Sequence, residues 1–152
     1  MKKVMIIGLG LLMGACSNDD DKSEAPILAT AKVERKIDFA QVQRGGKIFQ
    51  QNCAKCHGAE AEGDPNWRHR DASGMFPPPP LNGSAHTWHH PMAVLREVIT
   101  HGSPKGMGRM PAWEGRLSEQ DIEDVIAWFQ AKWPDEVYEA WYGMNQRAMQ
   151  QQ

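Results

Sequence analysis

The chain has 152 residues, with 17 Lys and Arg against 19 Asp and Glu and a formal net charge of -2. That length suits one domain, and ordinary apolar content with mixed charge describes a globular chain rather than a disordered one. No basic run is long enough to suggest a nucleic-acid surface, so nucleic acid is excluded as an expected partner.

Residues 1–15 do not read as part of the fold. A short basic start precedes the apolar run VMIIGLGLLMGA, which suits a signal-peptide core and is short for a bilayer span. The run ends in Met13-Gly14-Ala15-Cys16 followed by Ser17, and it resembles the lipobox of bacterial lipoproteins, with Met13 in place of the usual leucine. The resemblance implies that Cys16 is diacylated and opens the mature chain. Ser17 in the next position implies the outer membrane rather than retention in the inner one. An ordinary secretory peptide cleaved nearby is the alternative, and on either reading the mature chain leaves the cytoplasm. Residues 16–36 are polar and acidic with no sustained apolar face, and read as a tether.

From Asp38 the pattern becomes helical. Phe39, Val42, Ile48 and Phe49 give an apolar face that runs to about Asn52. Gly45 and Gly46 each cost about 1 kcal/mol in helix propensity, so close backbone packing is expected there. Residues 58–85 read as loop, and the four prolines 77–80 as a rigid extended run with few backbone donors. Pro91 fits a first helical position, with Val94, Leu95 and Val98 as the stripe and Gly102 as the stop. Residues 103–116 are glycine-rich loop. The clearest helix follows, with Ser118 as N-cap, Asp121 completing a capping box, and Ile122, Val125, Ile126 and Phe129 on one face before Pro134. The tail, 134–152, is expected to add a short helix whose Val137, Tyr138, Trp141 and Tyr142 clamp onto the domain, 37–133. No strand is expected.

The three cysteines are Cys16, Cys53 and Cys56. With Cys16 set aside, the pair in Cys53-Ala54-Lys55-Cys56-His57 admits several readings. A bare disulfide is strained and reducible. A thioredoxin-like dithiol needs a βαβ pattern, and a structural zinc needs a second pair of ligands. Cys-x-x-Cys-His reads instead as a c-type haem attachment site. Two thiols one helical turn apart can add to the two haem vinyl groups, and the adjacent imidazole of His57 can ligate the iron.

An electron-transfer haem needs a ligand on its other face. The candidates are His69, His86, His89, His90, His101, Met75, Met92, Met107 and Met110. Met92 is better read as helix packing and Met75 as loop filler. Met107 and Met110 share the flexible loop before the clearest helix.

In several independent places the chain resembles the class I c-type cytochromes. Gly45, Phe49 and Cys53 keep the Gly-x-x-x-Phe-x-x-x-Cys spacing of that family's first helix. Pro79-x-Leu81 matches its Pro-x-Leu, Met110-Pro111-Ala112-Trp113 its ligand loop, and residues 117–129 its final helix. The resemblance covers roughly residues 38–133. It implies an all-α, small cytochrome c fold of three to five helices wrapped around one covalently bound haem c. Cys53 and Cys56 would form the thioethers, His57 and Met110 would be the axial ligands, and the Pro79 carbonyl would accept a bond from His57. Met107 is the runner-up to Met110, and bis-histidine ligation through His89, His90 or His101 is the further alternative. A right-angle crossing of the first and last helices is also implied, at Gly45 and Phe49 against Trp128. Trp113, in the ligand loop, is a candidate cofactor contact. So is Trp88, in a His86-Thr87-Trp88-His89-His90 segment outside the minimal family pattern, where packing and surface roles compete with contact to the haem propionates.

The expected function is one-electron transfer by a membrane-tethered monohaem carrier on the periplasmic side of the envelope, monomeric, with redox proteins as partners and no catalytic residues of its own. The alternatives are a haem-bearing subunit of a periplasmic oxidoreductase complex, or an enzyme with a displaceable axial ligand. A sensor would normally need an output domain.

Overall fold

The computed structural model describes residues 33–151. Cys16, with the expected signal segment and most of the tether, lies outside the described residues. Among those described, the regular structure is entirely helical, as expected: α1 (Phe39–Asn52), α2 (Ala54–His57), a 3-10 turn (His86–His89), α3 (Met92–His101), α4 (Glu119–Gln130) and α5 (Asp135–Gln150).

α1 starts where Asp38 accepts hydrogen bonds from the Ala40 and Gln41 amides. Those amides have no intrahelical acceptor, so the carboxylate satisfies donors that would otherwise be left to water. α4 begins with the capping box expected of it: Ser118 Oγ accepts from the Asp121 amide, and the Asp121 carboxylate accepts from the Ser118 amide.

The two helices cross at Gly45, where the absence of a side chain lets α1 lie directly on the α4 backbone at Asp124. Phe49 continues the contact, its ring centroid 4.2 Å from that of Trp128. The indole of Trp128 also covers Gly46, so each glycine of the pair has its own neighbour across the crossing. Arg44 reaches over the edge to pair with Asp124 at 2.7 Å, and Gln120 donates to the same carboxylate at 2.8 Å. Phe49, Val125, Ile126, Phe129 and Ile122 form the centre of the core, with Leu95 and Ile99 of α3 against them.

The structure departs from the sequence reading in detail. Phe39 is 80% exposed, because α1 extends beyond the crossing and no described residue covers its start. Val94 is exposed too, and the buried stripe of α3 is Leu95 and Ile99. Pro91 is the N-cap of α3, one position earlier than expected, and it offers no side-chain acceptor. That acceptor comes from α5, where Asn145 Oδ1 takes a bond from the Met92 amide at 2.9 Å.

α5 runs for 16 residues. Trp141 is buried against Trp133, and its indole N–H donates to the His90 carbonyl at 3.0 Å. The Arg35 guanidinium donates to the Trp133 and Gln130 carbonyls and lies over the Tyr138 ring. No helix among the described residues is long and apolar enough to cross a membrane.

Candidate haem site

The attachment motif sits on the α1–α2 junction. α1 ends with the Cys53 amide donating to the Phe49 carbonyl, and one turn of α2 carries Cys56 and His57. Cys53 and Cys56 are free thiols, the first half-buried and the second exposed. Burial, with Cys56 nearby, pushes the Cys53 thiol up to about 11.

His57 is buried at 8% exposure. Burial lowers its pKa, and the bond to Pro79 opposes that shift only in part, so the ring is neutral at pH 7. Its Nδ1 lies 3.0 Å from the Pro79 carbonyl. The carbonyl can only accept, so Nδ1 carries the proton and Nε2 keeps a free lone pair.

The proline run explains why a carbonyl waits there. Prolines have no N–H, so this strand of backbone offers acceptors alone. Three successive carbonyls serve three different groups: Pro78 accepts from the Asp64 amide at 2.9 Å, Pro79 meets His57, and Pro80 accepts from Thr87 Oγ1 at 2.9 Å. The Leu81 amide then donates to the Ala61 carbonyl, stitching the run to the loop behind His57. Gly63 makes this approach possible. Its φ is +65°, and a Cβ there would meet Pro80 N at 2.4 Å.

The loop at residues 103–116 brings the methionines. Its base is fixed: the Trp113 amide donates to the Ile99 and Thr100 carbonyls, and the Trp113 ring is buried under the Arg116 guanidinium. Ser103 closes the neck, its amide donating to the Met110 carbonyl at 3.0 Å and its hydroxyl accepting from the Met110 amide at 3.2 Å. Gly102, with φ +83°, lies under this backbone, and a Cβ there would meet the Met110 carbonyl at 2.6 Å. Met110 is half-buried and packs on the core, whereas Met107 is 50% exposed. Met92 packs on the core from the start of α3, and Met75 is half-buried in the loop before the proline run.

The histidines near Trp88 are engaged with rings of their own. Trp88 is half-buried on the core and meets His89 edge-on at 3.9 Å, while His86 stacks on Trp67 at 4.9 Å. Arg96 pairs with Glu123 at 2.5 Å. His101 sits in an i,i+4 pair with Glu97. Sequence reasoning missed Arg70, Asp71 and Arg109, which tie the 103–116 loop to the one before the prolines. Only the Asp-Ala-Ser-Gly turn at 71–74 hinted at local order there.

These residues fit a haem. A buried neutral imidazole presents Nε2, and two unbonded thiols lie one turn apart beside it, while Cys53, Ala54, Leu81 and Met110 are half-buried apolar groups on the core. A zinc ion fits less well, since among the described residues no three His, Cys, Asp or Glu side chains gather as ligands.

Residues 40–129 match the protein family described as cytochrome C oxidase, cbb3-type, subunit III. Among curated proteins, the chain is 32% identical over 122 residues to the cbb3-type cytochrome c oxidase subunit FixP of Bradyrhizobium sp. (strain ORS 278), which covers 76% of this chain and 38% of the relative. It is 32% identical over 96 residues to subunit CcoP of Azospirillum brasilense, covering 62% and 30%. It is 31% identical over 84 residues to cytochrome c6 of Bryopsis maxima, covering 55% and 83%. The chain thus spans under two fifths of these two oxidase subunits and most of the cytochrome c6. No solved structure matches it.

Proposed function

The chain belongs to the cbb3-type subunit III family of c-type cytochromes, whose cofactor is covalently bound haem c, and from that premise we propose that it is a monohaem one-electron carrier. Cys53 and Cys56 hold the haem, and His57 and Met110 ligate the iron. The observation that carries this reading is the His57 Nδ1 to Pro79 carbonyl contact at 3.0 Å, which orients a buried imidazole with Nε2 free.

When bound, haem supplies the Fe(III)/Fe(II) couple. The chain's own part is positional. The Pro79 carbonyl fixes the tautomer and direction of His57 and raises its basicity. Ser103 and Gly102 hold the Met110 backbone at the neck of its loop. Half-burial and core packing favour Met110 over the exposed Met107 as the thioether ligand. With both ligands supplied by the chain, a bound haem would serve electron transfer rather than substrate binding.

The optical spectrum of the purified holoprotein tests this. A low-spin spectrum, the weak far-red band of ferric iron bound by a thioether, and no carbon monoxide binding are expected. Met110→Ala should abolish the band and open the iron to carbon monoxide, and Met107→Ala should do neither. A high-spin, carbon-monoxide-reactive wild type would overturn the carrier reading. Loss of the band only in Met107→Ala would reassign the ligand.

A second reading, a subunit of a terminal oxidase complex, is favoured by the names of the oxidase-subunit relatives. Purification from mild detergent distinguishes them: a carrier elutes alone and a subunit brings oxidase activity with it. Both readings put the protein on the outer side of the cytoplasmic membrane. The segment ending at Cys16 supports export and a lipid anchor in the outer membrane, with residues 17–36 as the tether. Mass spectrometry of the mature N-terminus, with Cys16→Ala as control, tests the anchor.

A further inference from the structure

The segment between Ser103 and Met110 carries the proposed axial methionine, yet it has little apolar anchorage of its own. Met107 is half exposed, and Pro104, Lys105 and Arg109 are exposed. Among the described residues, the hydrogen bonds that leave residues 104–109 go to the loop at residues 70–76. Arg70 Nη1 donates to the Gly106 carbonyl at 2.7 Å and to the Gly74 carbonyl of its own loop at 2.5 Å. Arg109 Nη2 pairs with Asp71 Oδ2 at 2.6 Å and also donates to Ser73 Oγ. The Phe76 amide donates to the Met107 carbonyl at 3.2 Å.

The 70–76 side is organised to receive these bonds. Asp71 Oδ1 accepts from the Ser73 amide, the Ser73 hydroxyl and the Met75 amide, which leaves Oδ2 for Arg109. The Arg70 guanidinium lies 4.3 Å over the Phe76 ring, which directs its remaining donors across the gap. Within its own loop, Gly108 lies close to Ser103, whose Oγ a Cβ there would meet at 2.8 Å.

We propose that Arg70, Asp71 and Arg109 form a clasp of positioning residues that holds the 104–109 segment closed and so keeps Met110 in place, with the strength of iron–thioether retention set by this exposed polar network. The clasp rests on the reading of Met110 as ligand. A single exposed ion pair contributes little, but several charges and carbonyls acting on one short segment add to a local opening free energy. Because Arg109 is exposed, at 61% for its side chain, and Asp71 is half-buried at 31%, salt reaches the pair and weakens it.

The test uses haem-loaded full-length protein carrying Asp71→Asn, Arg109→Gln, Arg70→Gln or the charge-reversed pair Asp71→Arg with Arg109→Asp. Two quantities are read at low and high salt: the equilibrium constant for imidazole displacing the native ligand from ferric iron, and amide exchange in residues 105–110. Each single variant should raise imidazole affinity about threefold at low salt and speed exchange in that segment, with α4 exchange unchanged. High salt should move the wild type toward the variants, and the charge-reversed pair should recover part of the loss. Unchanged imidazole affinity and unchanged exchange in all three single variants would overturn the clasp. If Met110→Ala leaves the thioether band in place, the ligand assignment fails instead, and the exchange data still report whether the loops are clasped.

Discussion

A Cβ built on Gly45 would lie 1.8 Å from the carbonyl oxygen of Asp124. The obstacle is α4 backbone, which cannot turn aside as a side chain can. Gly45→Ala is therefore expected to destabilise the fold by about 3 kcal/mol, the upper part of the usual range for overpacking. Gly46→Ala meets only the Trp128 indole, at 2.8 Å, and should cost about 1 kcal/mol. Urea midpoints of the two holoproteins check this; equal midpoints would show that the helices do not meet at Gly45.

The Arg44–Asp124 pair flanks the same crossing and gives stability a pH dependence. Burial alone would raise the Asp124 carboxyl, but hydrogen bonds from Arg44, Gln120 and Gln41 with the Arg44 charge bring it below its ordinary value. A carboxyl lowered in the folded state adds stability that is complete above its unfolded pKa, about 3.9. That contribution is lost as pH falls from there through the folded value. Asp124→Asn should cost about 2 kcal/mol at pH 7 and flatten the acid limb of a stability–pH curve below about pH 4. A variant with an acid limb as steep as wild type would assign that limb to other carboxyls.

Gly63 offers a test of the proline strip. At φ +65° with Pro80 N only 2.4 Å from a notional Cβ, Gly63→Ala must push the Pro79–Pro80 backbone away from the loop behind His57. A cost of about 2 kcal/mol is expected from overpacking and strain together. The His57 Nδ1–H resonance of the ferrous protein should shift as its acceptor moves. A resonance unmoved from wild type would mean that Pro79 is held independently of Gly63.

Two residues of α5 are expected to matter to α3. Asn145→Ala leaves the Met92 amide without its cap and should cost about 1 kcal/mol. Trp141→Ala empties a site that is 4% exposed and frees the His90 carbonyl, for about 3 kcal/mol or more. Thermal unfolding of both variants checks the values. If neither moves the midpoint, α5 is not integral to the domain.

Features with local or periodic signatures were legible in the sequence. The α4 capping box needs only Ser118 and Asp121, and the attachment motif only five consecutive residues, so both could be read directly. The register of buried faces was less legible, because periodicity names a stripe without saying where the neighbouring helix ends. Phe39 lies past that end, and Val94 lies beside the stripe that Leu95 and Ile99 occupy. Contacts between irregular segments left no periodic trace at all. Asp71 and Arg109 stand 38 positions apart in two loops, and Asn145 caps a helix 53 positions upstream.

The α1–α4 crossing joins residues 80 positions apart, and everything assigned to the haem beyond the first helix lies within the loop it closes. The entropy of closing such a loop grows only slowly with its length, but it opposes folding before any helix contact can form. The face of α1 at Gly45 and Phe49 thus waits for α4 to be synthesised, and the thiols at the end of α1 precede that step in the chain. The closing of α1 on α4 is the contact on which the cost of that loop falls.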